Sequence, residues 1–265
     1  MIIIAEKINA TIPSTREIIA ARDTEKLVEL AAKQADAGAN YIDINVGLDT
    51  ASADEEKELM KWAVQAVKEK VDKPLCIDSG DPEVLETGLA LAGDNLMLNS
   101  AKAEEDNLAE VVPLAAKYGA KLVALAMDES GIPKDVESRI AACDKIVAAC
   151  EKHGVPIENI FFDPLVLPVG ADITQGMVTL KTLEKIKEKY EGAKTTMGLS
   201  NISFGLPERG RLNAAFLTMA IYAGLDSAIM NPMNENMVAA VRTAEALIGK
   251  DRHCRKFSRM FRKRK

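Results

Sequence analysis

The sequence predicts a single (β/α)8 barrel of the TIM type, and three observations predict it. Short apolar runs alternate with amphipathic helical patterns from end to end, eight such pairs fit within 265 residues, and no linker-like or low-complexity segment interrupts them. A doubly wound open sheet is the alternative arrangement of the same pattern; the absence of a G-x-G-x-x-G after the first apolar run lowers it. The barrel is assigned to residues 1–250, and 251–265 to a basic helical tail packed on it or extending from it.

The elements follow in order. "MIIIAE" opens as a strand, and a helical pattern at about 23–38 closes at Gly38. "NYIDIN" precedes a helix at 53–70, and "PLCID" precedes one at 82–92 that Asp81-Pro82 opens. "NLMLN" leads to 104–118, stopped by Gly119, and "KLVALAM" leads to 135–153, stopped by Gly154. "NIFFD" is followed by a helix at 174–190, "TTMGLS" by one at 209–223 ending at Gly224, and "DSAIMN" by one at 234–248.

Composition narrows the function classes. Hydrophobic residues make up 48% of the chain, enough for a large core, and no apolar run reaches membrane-spanning length. The start "MIIIAEKINA" lacks the basic segment and small-residue cleavage site of a signal peptide, so a cytoplasmic location is expected. The net charge of −6 argues against a nucleic-acid-binding body. Four cysteines without a C-x-x-C and only two histidines argue against a zinc centre, and no metal is assigned. Cys143 and Cys150 share a helical stripe with Ile140 and Val147 and are read as core. The tail "DRHCRKFSRMFRKRK" places Phe257, Met260 and Phe261 at helical spacing; it reads as a docked helix with a solvated basic face, or as a basic contact for an acidic partner or ligand tail.

In a parallel barrel the strands are nearly continuous apolar runs, and active sites form at their C-terminal ends. Here almost every run delivers a carboxylate or an amide to that end: Glu6 with Lys7 and Asn9, Asp43 and Asn45, Asp78, Asn99 with Ser100, Asp128, Asp163, Ser200 with Asn201, and Asn231. Singly, each is an ordinary turn former or helix cap. Asp43 between Ile42 and Ile44, and Asp163 after Phe161 and Phe162, are less easily read that way, because an unpaired buried carboxylate is costly. Carboxylates and amides without a histidine pair or a phosphate loop suit a neutral heterocycle rich in N–H groups; a magnesium–carboxylate site is the rival.

"AEKIN", "IDINVG", "CIDS", "LNS", "FFDPLVLP", "GLSNISFGLPER" and "LNAAFLTMAIYAGLDSAIMNP", in this order, resemble the pterin-binding methyltransferases. That family comprises the methyltetrahydrofolate:corrinoid protein methyltransferases and the folate domain of cobalamin-dependent methionine synthase, with dihydropteroate synthase more distant on the same barrel. The resemblance spans residues 1–262 and implies a dihydropteroate-synthase-like TIM barrel with the pterin at its mouth. It implies that Asp78, Asn99 and Asp163 hold the pterin ring, that Asn201 lies near N5 where the methyl is attached, and that Asp43 and Asn45 line the same mouth. Gly198 and Ser200 would permit and polarise the close approach, and Arg209 would belong to the adjoining loop. Glu6 matches the acidic position of the first motif, although "AEK" replaces the commoner "GER". Asn201 and Asp43 are the expected catalytic pair, with Asp43 or solvent as the proton route.

The implied activity is methyl transfer between N5 of tetrahydrofolate and the cobalt of a corrinoid, in either direction. No "D-x-H-x-x-G" motif is present, so the corrinoid is expected on a separate protein that docks at the mouth. A homodimer is the family habit. A tetrahydromethanopterin-dependent homologue, dihydropteroate synthase and a non-catalytic pterin-binding subunit are the alternatives.

Overall fold

Eight parallel strands stand in the order β7-β6-β5-β4-β3-β2-β1-β8. They are β1 (Ile2–Asn9), β2 (Tyr41–Asn45), β3 (Leu75–Asp78), β4 (Met97–Ala103), β5 (Lys121–Asp128), β6 (Ile160–Asp163), β7 (Lys194–Thr195) and β8 (Ser227–Met230). The two ends of the sheet meet where Gly198 bridges Ile229 and the Ile229 amide donates to the Met197 carbonyl at 2.9 Å. This is a computed structural model, and it describes residues 1–262. Positions 263–265 of the predicted tail lie outside the described residues.

Strand side chains alternate between the two faces of a sheet, so each strand contributes one series inward and one outward. Ile4, Tyr41, Cys76, Met97, Val123 and Phe161 point inward and pack as the barrel's own core. Ile42, Ile44, Ile77, Leu98, Leu122 and Phe162 point outward into the layer shared with the helices. Extending the inward series toward the C-terminal ends reaches Glu6, Asp43 and Asn45, Asp78, Asn99 and Asp163. The same alternation that fills the floor with apolar side chains therefore sets the polar ones in the mouth.

The predicted helices form as α2 (Thr24–Asp36), α3 (Ala53–Lys70), α4 (Pro82–Ala92), α5 (Glu105–Tyr118), α6 (Val136–His153), α7 (Gln175–Lys189), α8 (Arg209–Tyr222) and α9 (Glu235–Leu247). Their starts are chemically marked: Asp23, Asp81, Asp135 and Asn234 accept from first-turn amides, and Ser52 with Glu55 forms a reciprocal capping box. Gly119 and Gly154 close α5 and α6 in the left-handed conformation. Cys76, Cys143 and Cys150 are buried, as their apolar settings predict.

Three features differ from the sequence reading. A short helix α1 (Pro13–Ala20) precedes α2; Pro13 starts it, but no side chain caps it, so the usual polar signal is missing. β4 continues past Ser100 to Ala103. "TTMGLS" is not a full strand: β7 ends at Thr195 and Leu199–Ser203 turns into a 3-10 helix. The Gly198 amide is taken by the Asp163 carboxylate, so the backbone leaves the ladder to serve the mouth.

The tail forms α10 (Arg255–Arg262), packed against α9, with Asp251 accepting from the Lys256 and Phe257 amides at its start. The Phe257 and Phe261 rings meet with centroids 4.7 Å apart and planes tilted by 51°. Helices of this barrel run back from the mouth, so α9 ends and α10 begins at the opposite end, where Glu245 of α9 holds the Met1 ammonium. This separates the basic face from anything bound at the mouth of the same chain.

Candidate functional site

The mouth is assembled rung by rung. Asn45, Asp78 and Asn99 are direct neighbours across β2, β3 and β4, since Asn45 pairs with Asp78 and Asp78 with Asn99. One rung below, Asp43 pairs with Cys76, and Cys76 with Met97. Asp163 ends β6 opposite Leu125 of β5, and Glu6 lies across the barrel beside the Asn231 amide.

Burial controls the charges. Asp163 is 6% exposed, and burial pushes its carboxyl up to about 6; the Leu165 and Gly198 amides and the Arg139 guanidinium oppose that rise. The displacement amounts to about 3 kcal/mol, the size of one or two hydrogen bonds to a charged group, about 1.5–3 kcal/mol each. A ligand offering two N–H groups therefore offsets it. Burial likewise raises Asp78 to about 6, opposed by a hydrogen bond from Asn45 and reinforced by Glu56. Asp43 lies deeper, at 1% exposure; burial first, then the neighbouring Asp78 charge, hold its carboxyl well above the usual carboxylate range. The Cys76 thiol and the Asn99 amide hydrogen-bond to it, while Asp43 Oδ1 has no protein partner. Burial also raises Glu6, against the pull of Lys7, Arg209 and the Asn231 amide.

The exposed side of the mouth is the turn after β7. Asn201 is solvent-exposed in the 3-10 helix, and a Cβ placed on Gly198 would stand 3.4 Å from Asn201 Nδ2. A Cβ there would be in ordinary contact with the amide, and the φ of −76° is open to any residue. Arg209, the first residue of α8, fastens the turn: Nη2 donates to the Ser200 carbonyl at 2.8 Å and Nε to Ser203 Oγ at 3.0 Å. Its charge faces Glu6.

The structure thus gathers Glu6, Asn45, Asp78, Asn99, Asp163, Gly198, Ser200, Asn201 and Arg209 at one end of the barrel, with Asp43 beneath. Asn201 and Asp43 are not hydrogen-bonded to each other; one is exposed and the other lies below the Asn45–Asp78–Asn99 rung. One polar strand end has the opposite parity: Asp128 points outward and turns back on Ser130, an ordinary turn former. Asn9, the rung partner of Asn45, and Asn231, two residues after inward-facing Ile229, keep the inward parity while their side chains accept from Thr11 and from the Met233 amide.

Other residues went unread. Glu56 of α3 accepts from Ser79 Oγ at 2.8 Å and sits behind Asp78. Cys76 lies two residues before Asp78, so strand alternation alone would have aimed it inward. Arg139 interrupts the buried stripe of α6 with Cys143, Ile146 and Cys150, and a charged residue on an apolar stripe is the signal that was available. Among the described residues, no group of three or more His, Cys, Asp or Glu side chains is arranged to hold a metal ion, and no helix is long and apolar enough to cross a membrane.

Comparison with known proteins gives the family and the fold. The sequence profile of the family described as "Pterin binding enzyme" matches residues 5–231. The chain is 38% identical over its full length to 97% of the methylcorrinoid:tetrahydrofolate methyltransferase of Eubacterium limosum. It is 30% identical over 88% of its length to the methionine synthase of Mycobacterium tuberculosis, of which it spans 21%. Among solved structures, dihydropteroate synthase from Stenotrophomonas maltophilia superposes with a TM-score of 0.73 over 93% of this chain and 92% of that one. At 21% identity that likeness carries the fold alone.

Proposed function

The chain belongs to the pterin-binding enzymes, and from that premise we propose that it is a methyltransferase moving a methyl group between N5 of tetrahydrofolate and the cobalt of a corrinoid carried by a partner protein. The observation that carries the reading is the set of acceptors at the mouth, half-buried Asp78 with buried Asn99 and Asp163, beside the exposed amide of Asn201. Asp78 and Asp163 suit the N–H edge of a pterin, because each carboxylate gains donors that its buried setting otherwise denies it. Asn99 can donate and accept at neighbouring ring positions. Asn45 holds Asp78, and Gly198 stands beside Asn201.

The corrinoid supplies the metal that gives or receives the methyl; the residues of this chain manage N5. As methyl leaves N5 charge builds on nitrogen, and the Asn201 N–H strengthens its hydrogen bond to that nitrogen. In the protonated state the Asn201 oxygen accepts from N5–H instead. A carboxylate there could only accept when ionised and would compete for the proton. Asp43, whose carboxyl is held well above the usual carboxylate range by burial and by Asp78, is the proposed proton source within the chain. The Eubacterium limosum relative is named for transfer from methylcorrinoid to tetrahydrofolate. The residues assigned here serve both directions.

Mixing the purified protein with methylcobalamin and tetrahydrofolate, or with cobalt(I) cobalamin and methyltetrahydrofolate, is expected to change the corrinoid spectrum. Tight pterin binding without transfer in either direction would leave a non-catalytic subunit and overturn the enzymatic reading.

The corrinoid protein is placed over the mouth, and a second copy of this chain against α7, α8 and α9. There a groove of about 470 Å³ is lined by Met177, Leu180, Met219, Tyr222 and Leu247. Tyr222 and Leu247 are 78% and 75% exposed and both stand on its wall. Lys181 and Glu184 on the same wall form no ion pair among the described residues, so a two-fold axis can bring each to the other's counterpart. Tyr222→Asp is expected to convert a dimer to a monomer by light scattering coupled to size exclusion; a wild-type monomer would refute the assignment.

A further inference from the structure

The least expected side chain in the barrel is Arg139. It is 0% exposed, yet no carboxylate pairs with it directly. Its acceptors are neutral: Nε donates to the Pro133 carbonyl at 2.9 Å, Nη2 to Gln175 Oε1 at 2.9 Å, and Nη1 to the Pro164 and Leu165 carbonyls at 2.8 and 2.9 Å and to Thr179 Oγ1 at 3.3 Å. A buried cation ordinarily takes an anion as partner. The nearest candidate, Asp163, stands on the other side of a single peptide unit.

That peptide joins Pro164 to Leu165. Its carbonyl accepts from Arg139, and its N–H donates to Asp163 Oδ1 at 2.7 Å. The peptide dipole thus points its negative end at the cation and its positive end at the anion. Leu165 holds a left-handed φ of +65°, unusual for a branched residue, and Thr179 Oγ1 adds a second hold on its carbonyl at 3.0 Å.

We propose that Arg139 is a positioning residue for pterin binding: an ion pair relayed through the 164–165 peptide keeps Asp163 ionised and aimed at the ligand, with one peptide N–H on the carboxylate in place of a two-pronged guanidinium. A direct bidentate Arg–Asp pair would fill the carboxylate sites that the pterin N–H groups need. The relay supplies the field of the cation and leaves those sites open. The inference rests on the reading of Asp163 as a pterin acceptor. The groups facing Asp163 are the Leu165 and Gly198 amides and the Arg139 guanidinium of α6; Asp135, which caps α6, stands behind the guanidinium.

The sign follows from the burial of Asp163. Its carboxyl titrates at about 6, so pterin binding weakens as pH falls through that value. Removing the cation raises the carboxyl further and moves the acid limb upward. The test is tetrahydrofolate affinity by calorimetry from pH 5 to 8 for wild type, Arg139→Gln, Arg139→Lys, Asp163→Asn and the Arg139→Gln/Asp163→Asn pair. Arg139→Gln is expected to move the limb up by about one pH unit, Arg139→Lys to leave it in place with lower affinity, and the pair to show no limb from this site. If Arg139→Gln weakens binding equally at every pH, the residue is merely structural and the proposal falls. Should the Gln variant fail to fold, a limb displaced in Arg139→Lys despite its retained charge overturns it equally, and an unmoved limb supports it. An Asp163→Asn protein that binds like wild type would instead refute the role of Asp163 itself.

Discussion

Asn201→Ala is expected to lower turnover by about 10²-fold or more, the scale for losing a hydrogen-bond donor that acts at a developing charge, while tetrahydrofolate affinity changes far less. The reason is positional. Asn201 is exposed on the turn after β7 and contributes none of its side chain to the acceptor set, so deleting it leaves Asp78, Asn99 and Asp163 in place. The turn also survives, because its hold comes from main-chain and Arg209 contacts: the Ser200 carbonyl accepts from Arg209, and the Asn201 carbonyl from the Phe204 amide. Single-turnover transfer between cobalamin and tetrahydrofolate, with pterin affinity measured in parallel, separates the outcomes. Unchanged turnover with only a higher KM would mean that the amide binds and does not assist the leaving nitrogen.

Asp163→Asn is expected to do the reverse, weakening tetrahydrofolate binding by about 10²-fold, the equivalent of one strong hydrogen bond to a charged group. The asparagine has one acceptor oxygen where the aspartate had two. If that oxygen stays with the Leu165 and Gly198 amides, the new NH2 confronts the pterin donors; if it turns to the pterin, the NH2 confronts those amides. Both rotamers set donor against donor. Folding is not the expected casualty, because burial already disfavours this carboxylate, and the Tm should hold or rise. Undiminished folate affinity by calorimetry would refute the assignment.

The fold was legible because apolar runs, caps and helix-stopping glycines recur at barrel spacing, and those signals are local. The mouth was legible for a related reason: a polar residue at the end of an inward-facing series has little reason to be there except a ligand. Asp43, Asp78, Asn99 and Asp163 all follow that parity, and Asp128, which does not, is a turn former. What escaped depends on contacts between distant segments. Glu56 approaches Asp78 only through the α3 packing, and Arg139 acts across a peptide that nothing in "FFDPLVLP" announces. β7 was overread for the same reason: its apolar run promised ladder bonds, while Asp163, more than thirty residues away, takes the Gly198 amide.

The shortness of β7 has its own mechanical meaning. Its two residues pair with β6, and the seam to β8 is closed by one bridge, one neighbouring main-chain bond and the caulking of Thr195, whose hydroxyl accepts from the Asp226 amide and whose carbonyl accepts from Ser227 Oγ. Of the eight staves, this is the most lightly laced, and Asn201 rides on it, whereas Asn45, Asp78 and Asn99 sit on β2, β3 and β4, which pair without a register shift up to that rung, and Asp163 ends β6. In the proposed function, Asp78 and Asn99 would hold the ring from the firmly paired strands while the amide is presented from the lightly paired one, so the nitrogen could change hybridisation and charge without those holds having to follow.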